Sequence, residues 1–475
     1  MKKTHLFIIM LIGFSISTNA QQFSLTHSKT LYDSFENPAV SSYTPEQSFK
    51  YNISILPSIF LDFKIKGDAE TALKSVLFGK DIDKSSFNSL NNELNRLNIN
   101  FNGYLFMFKI LKTAEYQREM GISLRLKDDG NYSVSNMAIV LPYSGTVFEP
   151  GNYPNQFISH YQNTSYWQLG LSYRENYNSK LGFGAKLGLL SGASFSKMDI
   201  NESLLEARPA DYTLHLNGHY VNSHGADTLG TSWFMPDFKN PGISLSLGTS
   251  YRFNNNIYLT GHIKDAGFIL WSKKTPSFTF NDSLTVSRTK STDSTYRQLY
   301  TNKMREMLER NESSSSAFTS KLNTQIELAA SRQFGNFKPV VMVSKNAFNS
   351  DGFIALQNNY VYRSLNLALN AAYYLNTGWN FGGMFMIKSA NVDFYLGTEK
   401  LFPTYNLTKA YTQKDENIGK SPTQANIFLG FSFKFGRIMQ TMPFADFVDG
   451  LNDKETGYVY KLSKKEKRAL KRRKK

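Results

Sequence analysis

Residues Leu365–Asn376 read L-N-L-A-L-N-A-A-Y-Y-L-N. Leu365, Leu367, Leu369, Ala371, Tyr373 and Leu375 share one parity; Asn366, Ala368, Asn370, Ala372, Tyr374 and Asn376 share the other. Side chains alternate across a strand, so the segment predicts a strand with one apolar face and one polar-or-small face. The same alternation marks Phe101–Ile110, Tyr116–Leu126, Tyr166–Arg174, Leu181–Leu189, Ile243–Arg252, Ile257–Lys264 and Leu322–Phe334. It returns at Phe337–Phe348, Phe353–Tyr362, Trp379–Lys388, Val392–Leu396 and Ile427–Phe435. An earlier segment, Phe49–Phe63, contains Pro57 and predicts a bent or bulged strand. The count is fourteen, with twelve or sixteen as its neighbours.

The connections obey a parity of their own. Short links fall after even-numbered strands: Leu111–Glu115, Glu175–Lys180, Phe253–Asn256, Gly335–Asn336, Arg363–Ser364 and Ser389–Asn391. Long links fall after odd ones: Lys64–Asn100, Lys127–Ser165, Ser191–Pro241, Asp265–Lys321 and Gly397–Asn426, with tight turns near Asn349–Gly352 and Thr377-Gly378. Bacterial membrane barrels have short periplasmic turns and longer external loops. The prediction is therefore an all-β, transmembrane antiparallel β-barrel of about fourteen strands, both termini periplasmic. Helical spacing at Asp68–Lys80, Ser85–Leu97 and Tyr296–Asn311 adds helical pieces to the long external loops.

Met1–Ala20 carries Lys2 and Lys3, an apolar run Leu6–Ile16 and a small residue before Gln21-Gln22, the pattern of a cleaved export signal. No later segment approaches the ~18 consecutive apolar residues of a membrane helix. Thirty-seven Phe and 27 Tyr sit beside a mean hydropathy of −0.37. A membrane barrel reconciles the two, because only alternate residues meet lipid and aromatic residues gather at the interfaces. The chain divides into a signal at residues 1–20, an N-terminal segment and candidate lumen plug at 21–46, a barrel at 47–437, and a periplasmic extension at 438–475.

The formal charge of +16 is concentrated rather than spread. Lys461–Lys475 holds ten Lys/Arg against one Glu, and Lys464, Lys465, Lys467, Arg468, Lys471, Arg472 and Arg473 form its centre. Such runs often bind nucleic acid, which an exported chain rarely meets. An anionic lipid surface, an acidic periplasmic protein or the cell-wall layer is the expected partner of the tail, and outer-membrane lipid that of the barrel.

Catalytic chemistry is sparse. His215, His219, His224 and Asp227 cluster in sequence, but two residues four apart on a strand lie roughly 13 Å apart, too far to share one metal. No metal or cofactor is expected. No nucleophile elbow, phosphate loop or paired-histidine zinc motif occurs. His262 near Ser244 and Ser246 is the one Ser–His pairing the strand order allows. Lumen-lining candidates are Asn366, Asn370, Lys186, Gly184 and Lys434, all at polar parity.

The segment L-Y-D-S-F-E-N-P-A-V, with Asn37, Pro38 and Ala39, resembles the first residues of FadL-type transporters of hydrophobic compounds and of the PorV and PorP/SprF barrels of Bacteroidota. F-G-A-K-L-G-L-L-S-G (Phe183–Gly192), F-K-N-P-G-I-S-L-S-L-G (Phe238–Gly248) and H-I-K-D-A-G-F-I-L-W (His262–Trp271) resemble an uncharacterised family of Bacteroidota outer-membrane proteins. The family resemblance implies location and architecture. The FadL resemblance implies that Gln21–Tyr43 enters the barrel as a plug. Two functions follow as expectations: transport of small, partly hydrophobic molecules through a gated lumen, or a non-enzymatic scaffold in an envelope complex.

Overall fold

The computed structural model describes residues 23, 28–42, 49–70, 74, 94–113, 117–142, 149–223, 235–272, 275–287, 294–310, 313–348, 352–375, 378–413 and 423–437. The export signal, the extension and basic tail, His224, Asp227, Asn376 and most of Asp68–Lys80 lie outside these residues. Among those described, no helix is long and apolar enough to cross a membrane.

Fourteen antiparallel strands close into a barrel. The first, β1, comes in two pieces, Phe49–Ser54 and Ser58–Lys66, parted at Pro57, which has no N–H to give to a ladder. It is followed by β2 (Leu94–Thr113), β3 (Arg118–Ser135), β4 (Ser159–Asn176), β5 (Leu181–Ala207), β6 (Pro241–Arg252) and β7 (Ile257–Trp271). Next come β8 (Phe318–Lys321 and Gln325–Arg332), β9 (Phe337–Asn346), β10 (Gly352–Tyr362) and β11 (Leu365–Tyr374). The last are β12 (Gly378–Lys388), β13 (Val392–Thr398) and β14 (Gln424–Arg437). Closure is made by β14, which pairs with both pieces of β1: Tyr51 faces Phe435 and Ile59 faces Leu429. The short turns gather at one end of the barrel, with the start of β1 and the end of β14.

The two faces of β11 show what each side meets. Leu369 is 70% exposed while Asn370 is 4% exposed. Leu365, Leu367 and Tyr373 join Leu369 outside, and the neighbouring strands add Ile354, Leu356, Phe381 and Phe385, an apolar wall of the kind that meets lipid. Inward residues of a water-filled barrel would be wet. Here Asn366, Ala368, Asn370, Ala372 and Tyr374 are all buried, so this inner face is covered.

The long-loop end departs from the sequence reading. A tilted membrane strand needs about ten residues, yet β2 to β5 run to 20, 18, 18 and 27. Among the described residues of Lys127–Ser165, Ser191–Pro241 and Asp265–Lys321, read above as loops, more than half are strand. Strands Asp211–Asn222 and Pro276–Ser287 pair with each other, and the former also pairs with the overrun of β5. A core of Met137, Ile200, Leu205, Leu214, Phe280, Tyr300 and Met307 joins this cap to the helices Asn136–Val140 and Ser294–Arg310. Ser85–Leu97 is corrected in part: Leu94–Leu97 belong to β2, where Leu94 faces Ser135 of β3. Leu94 and Leu97, three apart, would share a face of a helix but lie on opposite faces of a strand, and ladder pairing decides for the strand. A further helix, Leu401–Gln413, occupies the loop before β14.

Candidate functional site

Residues 28–42 of the N-terminal segment lie among inward-facing side chains of the barrel and are buried throughout from Thr30 to Ser42. Its helix α1 (Leu31–Glu36) is a single closed turn and a half. Thr30 accepts a hydrogen bond from the Asp33 amide at 3.1 Å, and the Asp33 carboxylate accepts from the Thr30 amide, which satisfies otherwise orphaned donors at both ends of the box. Leu31, Tyr32 and Phe35 pack on Phe60, Tyr104, Met384, Met386, Tyr395 and Phe428 of the inner wall. Tyr32 meets the Tyr104 ring edge-on at 5.5 Å between centroids.

Glu36 points into a web of wall cations. Its carboxylate accepts from Tyr104 Oη at 2.7 Å, Asn102 Nδ2 at 3.1 Å and Arg125 Nη1 at 3.2 Å, and it pairs with Lys264. Asp265 completes the web: Arg125 lies at 2.8 Å, Lys127 at 3.3 Å and Lys186 at 3.9 Å from its oxygens. Lys186 also donates to the Phe35 carbonyl at 2.9 Å, and Lys109 to the Ser34 carbonyl at 3.0 Å. All of these side chains are almost fully buried. A break in register within β7 makes the web possible. Between Ile263 and Ala266 the ladder with β6 slips, and Lys264 and Asp265 both turn inward. Asp265 adopts a left-handed φ of 53°, which Asp tolerates better than most residues.

The Asn37-Pro38-Ala39 turn seats on two glycines. A Cβ on Gly184 would lie 1.9 Å from the Pro38 carbonyl oxygen, and one on Gly248 would lie 2.9 Å from Asn37 Oδ1. Only glycine allows the segment to approach β5 and β6 so closely. Arg174 Nε then donates to the Ala39 carbonyl at 3.2 Å, and Ser41 and Ser42 both donate to Glu119. At the other end of the segment, Lys388 Nζ donates to the Ser28 and Lys29 carbonyls at 2.5 and 3.1 Å.

Asp33 gives the docked segment a pH dependence. Burial pushes its carboxyl up to about 6, against the hydrogen bonds from Ser28 and Thr30 and the charge of Lys388, which favour ionisation. A released segment returns Asp33 toward its ordinary 3.8, so docking takes up a proton between these values. The stabilisation is complete below about pH 4 and is lost as pH rises through about 6. Hydrogen exchange at residues 31–36, corrected for intrinsic rates, is expected to become less protected from pH 4.5 to 7.5. A flat profile, or greater protection at high pH, would contradict this assignment.

The structure brings Lys186, Gly184 and the Asn37–Ala39 turn into one site. Asn366, Asn370 and Lys434 face inward elsewhere, with Lys434 paired to Asp393 at 2.9 Å. Glu36, Arg125, Lys127, Lys264 and Asp265 were missed as candidates. Arg125 and Lys127 were findable, being the polar parity of G-I-S-L-R-L-K. His262 pairs with Glu327 at 2.7 Å, while Ser246 Oγ accepts from the Asp265 amide and Ser244 Oγ from Gln168, so His262 is paired with neither serine. His215 and His219 lie on the cap, beside Glu206 and Thr279 respectively.

Two cavities lie at the ends of the barrel. At the long-loop end, about 870 Å³ opens between the barrel mouth and the cap, lined by Asp129, Gln162, Phe195, His219 and Phe318. Phe195 lies 5.0 Å from Phe318 and 5.4 Å from Trp271, ring to ring. At the short-turn end a smaller space of about 430 Å³ lies against Val40 and Ser41. An outward groove of about 850 Å³, among Phe183, Leu247, Gly261, Ile263 and Leu328, lies on the lipid-facing wall.

Comparison with known proteins gives one family match. The model described as "Family of unknown function (DUF5723)" matches residues 38–399. No curated protein matches the chain. Among solved structures, the chain is similar to the Pseudomonas putida toluene transporter TodX, at 9% identity and a TM-score of 0.42, covering 89% of this chain and 98% of that one. A Pseudomonas aeruginosa FadL homologue gives 9% identity and 0.42, with 86% and 93% covered. The CymD monoaromatic hydrocarbon channel gives 10% and 0.38, with 82% and 89% covered.

Proposed function

The chain belongs to the DUF5723 family, whose function is unassigned, and from that premise we propose that it is an outer-membrane channel for small, partly apolar molecules, closed by its own N-terminal segment. The short-turn end then faces the periplasm, and the aromatic cavity beneath the cap receives the molecule from outside. The observation that carries this reading is the chemistry by which the segment is held. A permanent plug is best built from apolar contacts, because replacing buried ion pairs with packed hydrophobic residues is often neutral or stabilising. Glu36 is held instead by Arg125 and Lys264, charges that water resolvates once the segment leaves. A latch of this kind suits a docked state that must also be left.

The test uses Gly184→Val in full-length protein reconstituted in liposomes. Valine suits a strand, but its Cβ takes the place of the Pro38 carbonyl, so the segment is displaced while every charge remains. Swelling in small solutes, including a monoaromatic alcohol, is expected to be slow for the natural chain and at least about tenfold faster for the variant, the shift that ~1.4 kcal/mol produces. Equal rates, or no swelling in either, would remove the transport reading.

A further inference from the structure

The cavity at the short-turn end has a chemistry that the lumen web does not explain. Five cationic side chains line it: Lys29, Arg174, Lys180, Arg252 and Lys338. The remaining lining residues are mostly hydroxyl and amide donors, among them Ser41, Ser250 and Tyr258, and none of the described lining residues is an aspartate or glutamate. Among the described residues, the nearest carboxylates are bonded elsewhere, although Glu119 also lies in the field of Arg174. Glu119 is taken by Ser41, Ser42 and Lys109, and Glu175 by Arg118 at 2.5 Å. Lys338 lies in the field of Lys29 and Lys388 as well as of Asp33.

The topology gathers these charges. Lys180, Arg252 and Lys338 stand at or beside three successive short turns, β4–β5, β6–β7 and β8–β9, and Lys29 comes from the docked segment. Lys180 and Arg252 are exposed at the rim, while Arg174 is 4% exposed, with its guanidinium held by the Ala39 carbonyl, Gln117 and Asn176. Like charges this close repel one another, and a multivalent anion among them relieves the repulsion. Arginine and lysine ringed by hydroxyl donors match the several acceptor oxygens of a phosphate. The space, about 430 Å³, leaves room for the group that the phosphate esterifies.

We propose that this cavity is a binding site for a phosphate ester, seated between the short turns and the N-terminal segment. The assignment does not depend on what crosses the lumen. Glycerol phosphate is the shared chemistry of two sources, a soluble ester and the headgroup of an anionic phospholipid.

Titration calorimetry of the full chain in non-ionic detergent tests the site with sn-glycerol 3-phosphate in one arm and dihexanoyl phosphatidylglycerol, below its micelle concentration, in the other. Saturable one-site binding in either arm is expected, and the arm that binds names the source. The variant Lys180→Gln/Arg252→Gln/Lys338→Gln leaves Arg174 and the segment's hydrogen bonds to Arg174, Glu119 and Lys388 in place. It is expected to bind at least about tenfold more weakly. Heat-modifiable gel migration shows that the variant barrel has closed, and Lys197→Gln/Lys303→Gln/Lys321→Gln at the opposite end serves as the charge-matched control, expected to bind as the natural chain does. No saturable binding in either arm, or equal loss in the control, overturns the proposal.

Discussion

Glu36→Ala is expected to release the N-terminal segment from the lumen. The carboxylate satisfies Arg125, Lys264, Tyr104 and Asn102 together, in a place from which water is excluded. Removing one member of a buried pair leaves the other charge uncompensated and costs about 3–5 kcal/mol. A docking equilibrium shifted by that amount moves by roughly two to three and a half orders of magnitude. In planar bilayers the natural chain is expected to be mostly closed and the variant to show frequent or sustained conductance. The chain has no cysteine, so Ala39→Cys supplies a reporter, protected from a thiol reagent in the natural background and modified rapidly beside Glu36→Ala. Glu36→Gln keeps the shape and loses the charge. A closed, protected channel in both Glu36 variants would show that the apolar contacts of α1 suffice and that the charges do not latch.

Asp265→Ala is expected to strike the wall rather than the segment. Arg125, Lys127 and Lys186 all pair with this one carboxylate, which Arg125 shares with Glu36 and Lys127 with Asp129, and all three are buried while the segment is docked. The loss is again about 3–5 kcal/mol, read as a lower urea midpoint for barrel unfolding by circular dichroism. Because Arg125 contacts both Glu36 and Asp265, the double variant is expected to lose less than the sum of the single ones. Full additivity would mean that the two carboxylates act as separate sites.

The strand count was legible because lipid acts on every spanning strand alike. Leu365, Leu367 and Leu369 mark the outer wall by parity alone, and the short links after even strands locate one end of the barrel. The cap was legible only in part: S-F-S-K-M-D-I-N-E-S in β5 carries no clean apolar side, whereas Asp211–Asn222 and Pro276–Ser287 do alternate. Tyr212, Leu214, Leu216, Phe280, Leu284 and Val286 are buried, and their pattern was passed over inside stretches read as loops. The site was legible in part. Lys186 and Gly184 stand at inward parity, and Asn37–Ala39 stood out as a motif. Asp265 could not be found by counting, because the irregularity at Ile263–Ala266 reverses the phase: Ile263 faces out before it and Phe268 faces out after it. Parity rules fail at a bulge, and here the bulge carries the charge that the lumen needs.

The partners of Glu36 also set an order of events in folding. They lie 66, 68, 89 and 228 residues further along the chain, on three different strands. Contacts so distant in sequence carry a large loop-closure cost until other structure brings them together. The pocket for α1 therefore exists only after β2, β3 and β7 have taken their places around the ring. The part of the barrel nearest the N-terminus is the last to find its seat. Until then Arg125, Lys127, Lys186 and Lys264 remain hydrated, and the charges that later close the lumen oppose the premature collapse of an apolar-rich chain.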